Sequence, residues 1–305
     1  MYDIIGDIHG YAEPLKQLLT KLGYEIRNGS FRHQDRQVIF VGDFIDRGPQ
    51  ILEVLQIVRA MIENNAAHAV IGNHEYNAIA YSIERLDEPG EYLRRHNPKN
   101  TSQFGATLDQ LTSSELAEWT AWFRTLPPWL ELDELRVVHA CWNPPALALF
   151  RDALKEHGHF TDDFMHASCN TRSKLFRAVE TVLKGVEIEL PDGVSFADKD
   201  GNVRHKFRAR WYASPEGETI RSFVLGSDSG FPDLALSDDV IQSAYPYGSG
   251  ERPVFIGHYW LRSDRPSLLA SNVACVDYSV AKGGFLCAYR WNGESQLSDE
   301  NFVTV

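Results

Sequence analysis

The chain has 305 residues, 43% apolar and 24% charged, with a formal charge of −12 at neutral pH. That length allows one large core, or a core domain with an insertion. No apolar run approaches the roughly 20 residues of a membrane span, and so acidic a chain is no general binder of nucleic acid, because phosphate backbones demand basic surface.

Met1 leads directly into the apolar Ile4-Ile5, which leaves no room for a signal peptide and makes the cytoplasm the expected compartment. Residues 2–6 read as a strand ending in Gly6. Leu15, Leu18, Leu19 and Leu22 follow at helical spacing, so a helix begins soon after Gly10. Residues 38–42 are a second strand. Pro49 suits a first helical turn, and Ile51, Leu52, Leu55, Val58 and Ile62 continue that helix. "HAVI" at 68–71 is a third strand, ending at Gly72. Helical crossovers between strands imply a sheet that is parallel at its centre. Residues 86–104 are polar and irregular. "TSSE" at 112–115 resembles a capping box opening a helix through "LAEWTAWF". From about 129, "WLEL", "RVVHA", "SFVLG", "VFIGH", "ACVDY" and "LCAYRW" read as short strands. The fold expected is an α/β sandwich of two mixed sheets flanked by helices, in a single domain over 1–305. The segment 145–220 is the least regular, with "LPDG" and "DKDGN" turns and the basic run "RHKFRARW", and reads as an insertion or cap. Four scattered cysteines (Cys141, Cys169, Cys275, Cys287) form no C-x-x-C pair and point to reduced, buried thiols.

"VGDFIDRG" at 41–48 sets Asp43, Asp46 and Arg47 directly after a buried strand, and unpartnered charge there costs several kcal/mol or more. "IIGDIHG" (5–10) and "IGNHE" (71–75) repeat the pattern of apolar strand, glycine and polar residues. "VVHA" (137–140) and "FIGHYW" (255–260) each set a histidine at a strand end. Parallel strands end side by side at one sheet edge, so these motifs converge. Asp7, His9, Asp43, Asn73, His139 and His258 are oxygen and imidazole donors without a thiolate. That set suits manganese, iron, zinc or nickel rather than a structural zinc. Six donors are too many for one ion with an open position. They suit two ions about 3.5–4 Å apart bridged by one carboxylate, Asp43.

On these motifs the chain resembles the calcineurin-like metallophosphoesterases, in the PPP-type branch. That branch holds serine/threonine protein phosphatases, bacterial diadenosine tetraphosphatases and the phosphatase module of bacterial polynucleotide kinase-phosphatases. The likeness is close over 2–77 and returns at 137–142 and 254–260; the 183–211 sequence looks most like the kinase-phosphatase group. It implies the metallophosphoesterase β-sandwich. Asp7, His9 and Asp43 would hold one divalent ion, and Asp43, Asn73, His139 and His258 the other. His74 would be the general acid, oriented by Asp46, and Arg47 would contact the phosphate. Two departures stand out. "GHYW" has Tyr259 and Trp260 where many members have G-H-x-H, which leaves the first metal three protein ligands. "HACW" puts Cys141 and Trp142 where the protein phosphatases have two glycines, so a bulkier rim is expected, suited to small or flat phosphates. Arg208 and Arg210, interleaved with Phe207 and Trp211, are candidates for a second phosphate contact, with Arg210 taken as substrate-binding. The expected function is a metal-dependent phosphatase hydrolysing phosphomonoesters of small molecules or nucleotides. It would use a dinuclear centre, manganese first, and a metal-bound hydroxide nucleophile. The alternative is a dinucleoside polyphosphate pyrophosphohydrolase; a serine/threonine protein phosphatase or a catalytically silent scaffold ranks below both. No membrane partner and no general nucleic-acid binding are expected, and the sequence is silent on oligomeric state.

Overall fold

The computed structural model describes residues 1–191, 193–197, 203–226 and 230–305, and in it two β-sheets face each other between layers of helix. In the first sheet Tyr2–Ile5, Gln37–Phe40 and Ala67–Ala69 run parallel. Phe285–Trp291 lies antiparallel beside Tyr2–Ile5 and also pairs with Asp277–Tyr278 and Phe302–Thr304. In the second sheet Val273–Cys275, Val254–Ile256 and Arg136–Val138 are parallel, with Trp129–Glu131 antiparallel at the edge.

Alternation along each strand divides the apolar residues between two cores. Ile4, Ile39, Val137, Phe255, Ala274 and Tyr289 bury themselves in one cluster between the sheets. Their neighbours Ile5, Val38, Phe40, Val138, Val254 and Ile256 belong to a second cluster. That cluster also takes Leu15, Leu18 and Leu19 of the helix Ala12–Lys21 and Val54, Leu55 and Val58 of the helix Ile51–Glu63. Because both faces are covered, these strands read as continuous apolar runs. Among the described residues, no helix is long and apolar enough to cross a membrane.

Several local expectations shift. Pro49 lies outside its helix, which starts at Ile51 after Gln50. The polar stretch before residue 104 already contains a helix, Pro98–Gln110, started by the Asn97 side chain and a proline in its first turn. The Thr112–Glu115 capping box forms as read. "SFVLG" is not a strand: Thr219 accepts from the Ser222 N–H and winds Ile220–Phe223 into one helical turn, leaving only a bridge at Val224.

The segment from 145 to 220 divides in two. The helices Pro144–His157, Asp162–Ser168 and Lys174–Lys184 put Leu147, Phe150, Phe164, Val179 and Val182 into the main core. Beyond them Leu190, Phe207, Ala209, Ile220, Phe223, Val224, Phe231 and Leu236 form a separate small core. The "DKDGN" turn at 198–202, and Asp192 of "LPDG", lie outside the described residues.

Candidate active site

The loops leaving the strands are zipped together by backbone. The N–H groups of Ile8 and His9 donate to the Asp43 carbonyl at 3.1 and 2.9 Å, and Gly48 N–H donates to the His9 carbonyl at 2.8 Å. Across the sandwich, His139 Nδ1 donates to the Val41 carbonyl at 2.7 Å, and Gly257 N–H donates to the His139 carbonyl at 2.8 Å. Two glycines admit the carboxylates. A Cβ on Gly72 would lie 2.2 Å from Asp43 Oδ1, and one on Gly257 would lie 2.1 Å from Asp7 Oδ1. His9, Asp43, Asp46, Arg47, His258 and Trp260 all hold left-handed backbone, at φ 47, 55, 70, 71, 71 and 53°. Each such residue costs about 1–3 kcal/mol, tolerated where surrounding structure fixes it.

Asp43 is the centre. Its Oδ2 lies 3.4 Å from His139 Nε2, 3.7 Å from His9 Nε2 and 3.8 Å from His74 Nε2. Asn73 Oδ1 sits 3.0 Å from His139 Nε2 and 2.7 Å from His258 Nδ1. Asp7 joins through its Oδ2, which accepts the His258 N–H at 3.0 Å. Two groups with metal-ligand spacing share Asp43, namely His9–Asp43–His74 and Asp43–His139–His258, with ligand atoms within 4.8 Å of one another in each. The six expected ligands are thus neighbours, and His74 stands among them.

Asp7 Oδ1, His9 Nε2 and His258 Nε2 are buried without a hydrogen-bond partner among the described residues. Burial, followed by the charges of Asp277 and Asp43, pushes the Asp7 carboxyl well above the usual carboxylate range. Burial, with His74 beside it, holds the His9 ring down at about 3, hence neutral, as a ligand imidazole must be. At Asp43 burial opposes the charge, but His139, His74 and His9 outweigh it and hold the carboxyl well below its ordinary value. Orphaned nitrogens and an orphaned carboxylate oxygen around one shared carboxylate fit a pair of divalent cations.

His74 Nδ1 bonds Asp46 Oδ2, and the Thr107 hydroxyl donates to the other Asp46 oxygen at 2.5 Å. Burial lowers the His74 pKa, but Asp43 and Asp46 outweigh it and raise it above the ordinary histidine value. Arg47 lies with its Cζ 3.9 Å from the centre of the Trp260 ring. Arg210 is not brought into this group, because its guanidinium binds the Tyr212 hydroxyl at 3.3 Å and the Ser222 carbonyl at 3.2 Å. Arg208 faces the centre instead. It stands 6.0 Å over the Tyr259 ring, and after burial its charge is the largest influence lowering the His258 pKa. The expected rim residue Trp142 is also displaced. It is buried at 4% exposure beneath the Arg136 guanidinium, 4.8 Å from its ring, and lines a separate cleft of about 380 Å³ with Leu147 and Tyr245. The Asn143 cap and the Pro144 helix follow directly after it.

Four participants escape the sequence motifs or sit in them unassigned. Glu75, the last residue of "GNHE", accepts backbone N–H bonds from Gly72 (3.0 Å), Asp43 (2.9 Å) and Phe44 (2.8 Å), and burial with the nearby Asp43 charge pushes its carboxyl up to about 7. Asp277 accepts from the N–H groups of Trp260 (2.6 Å) and Ser279 (3.0 Å). Thr107 and Trp260 complete the set. Glu75 and Trp260 carried a signal, through their places in "GNHE" and "FIGHYW".

A profile of the calcineurin-like phosphoesterases matches residues 2–186, stopping where the separate small core begins. The chain is 38% identical over 146 residues to the asymmetrical bis(5′-nucleosyl)-tetraphosphatase of Halalkalibacterium halodurans, covering 46% of this chain and 56% of that one. It is 31% identical over 140 residues to the enzyme of the same name from Oceanobacillus iheyensis, covering 45% and 54%. The chain therefore spans about half the length of the curated relatives it matches. Among solved structures, the cold-active protein-tyrosine phosphatase of a Shewanella species aligns with a TM-score of 0.54 at 18% identity, covering 99% of this chain and 79% of that one. At that identity the likeness is one of fold.

Proposed function

We infer the activity from the family: the chain belongs to the calcineurin-like phosphoesterases, and it acts as a metal-dependent phosphoric ester hydrolase. The observation that carries this reading is the His74–Asp46–Thr107 chain beside the orphaned donors around Asp43. Asp7, His9 and Asp43 would hold one divalent ion, and Asp43, Asn73, His139 and His258 the second. Manganese is the first choice, and the oxygen and nitrogen donors also suit iron, zinc or nickel. Bound there, the ions would supply positive charge against phosphoryl oxygens and lower the pKa of coordinated water.

The protein's own groups do the rest. With Nδ1 committed to Asp46, His74 has Nε2 left to hand a proton to a leaving oxygen. Arg47 offers a planar fork of donors to the phosphoryl oxygens, and Arg208 replaces Arg210 as the second cation. A proton donor matters most where the leaving group is an alkoxide. Phosphomonoesters of small molecules or nucleotides are therefore the leading substrates. Asymmetrical hydrolysis of dinucleoside tetraphosphates is the second reading, favoured by the names of the relatives. All four cysteines are free, which supports a reducing, cytoplasmic setting.

The test is His74→Asn. Manganese content should stay constant, while kcat on an alkyl phosphate falls about 10²–10⁴-fold. The loss should shrink for nitrophenyl phosphate, whose leaving group needs no proton. Equal losses on both would reject the acid role. Ranking kcat/KM for nucleoside monophosphates against diadenosine tetraphosphate decides between the two substrates.

A further inference from the structure

We propose that Trp260 is the positioning residue for Arg47, holding the guanidinium by its face so that its edge is free to bind the substrate phosphate; this rests on the phosphoesterase reading. Among the described residues no hydrogen bond or ion pair ties the Arg47 guanidinium. The carboxylates of Asp43, Asp46, Asp277 and Asp7 attract it without a direct ion pair, and the group packed against it is the indole, 3.9 Å from Cζ to ring centre. Tryptophan is the best aromatic partner for a cation, and stacking uses the π face of the guanidinium while leaving its in-plane N–H donors unspent. A carboxylate partner would do the reverse and compete with phosphate for those donors.

The indole is itself anchored. Trp260 follows His258 of the candidate metal cluster by two residues, in left-handed backbone at φ 53°. Its backbone N–H donates to Asp277 Oδ2 at 2.6 Å, and the next backbone N–H, of Leu261, donates to the Asp277 carbonyl at 3.1 Å. Its ring meets the His9 ring edge-on at 5.8 Å. Lys282 Nζ lies 5.1 Å from the same ring, so a second cation gathers on this platform in an otherwise acidic chain. Immobilising an arginine costs rotamer entropy, and prior stacking on the indole removes part of that cost from phosphate binding.

The experiment compares Trp260→Leu and Trp260→Phe with wild type, all manganese-loaded. Inorganic phosphate binding is read by calorimetry, alongside KM, kcat and metal content. Trp260→Leu should weaken phosphate binding about tenfold, raise KM in parallel, change kcat less and leave manganese content constant. Trp260→Phe should recover part of the loss. In an Arg47→Ala background, Trp260→Leu should add less than about twofold, because the two residues act as one unit. Unchanged phosphate affinity in Trp260→Leu would overturn the proposal. So would a full tenfold loss on top of Arg47→Ala, or a drop in manganese content. Phosphate binding needs no turnover, so a wild type that binds phosphate but hydrolyses nothing would reject the proposed function and still leave this test readable.

Discussion

Asp3 and Asp7 sit near opposite ends of one strand, on the order of 13 Å apart, and both are buried. Asp3 is fully partnered. Its Oδ2 accepts from the Tyr24 hydroxyl at 3.0 Å and Arg36 Nε at 2.9 Å, and its Oδ1 accepts from Arg290 Nε at 3.1 Å. Arg36 spends its other nitrogens on Asn292 Oδ1 and the carbonyls of Tyr2 and Trp291. Asp7 lies among Asp43, Asp277 and Glu75, all buried. Among the described residues, none of these four carboxylates is ion-paired with an arginine or lysine. One fold has thus dealt with buried charge in two ways. Where the charge is structural, the chain brings guanidinium groups to it. Where the chain brings histidines and more carboxylates, the histidines and Arg47 supply part of the countercharge, and bound cations would supply the rest.

The largest test of that contrast is Asp43→Asn. Asp43 is common to both ligand groups, so the variant should lose most of both ions and at least about 10³-fold in kcat, the size of several kcal/mol of charge stabilisation. Elemental analysis showing full occupancy would remove Asp43 from its shared role. Next in size is Asp3→Asn, which leaves Arg36 and Arg290 without their carboxylate. It should destabilise the fold by about 3–5 kcal/mol, read from urea unfolding, while the folded fraction keeps wild-type metal stoichiometry. A loss below about 1 kcal/mol would mean that the guanidinium network is self-sufficient.

The parts of the molecule legible in the sequence are those built locally. A strand ending in glycine and then an aspartate or histidine needs no distant partner to be recognised, so Asp7, His9, Asp43, Asn73 and His74 could be read from their motifs. The two sheets were legible because alternating burial over both faces leaves short apolar runs. Long-range partners were not legible. Thr107 braces Asp46 from 61 residues away, on a helix whose buried residues are only Phe104 and Thr107, too few for a clear apolar face. Trp260 and Asp277 acquire their roles only when the loop after His258 meets the strand Asp277–Tyr278. Arg208 and Arg210 are two residues apart in one basic run, and composition has no means of choosing the one that faces the histidines. The helix Lys174–Lys184 buries Ala178, Val179, Val182 and Leu183 at helical spacing, yet its charged remainder disguised it as part of an irregular cap.

Asp7→Asn carries the smallest effect and a distinctive sign. In metal-free protein, burial, Asp277 and Asp43 all oppose a charge on Asp7. Asparagine keeps an oxygen to accept the His258 N–H, now accepted by Asp7 at 3.0 Å, and removes the opposed charge. The metal-free variant should therefore be more stable than metal-free wild type, by about 1 kcal/mol or roughly 2–3 °C in Tm. The same substitution at Asp3 moves stability the other way. Manganese should then reverse the ranking at residue 7. At a hundredfold excess over Kd one ion stabilises wild type by about 2.7 kcal/mol, and the variant, having lost a ligand charge, should gain less. Calorimetric melting of both proteins in chelator and in manganese reads all four values. If Asp7→Asn lowers Tm in chelator, the carboxylate cluster is compensated from within the fold. The distinction between the two ends of the strand would then disappear.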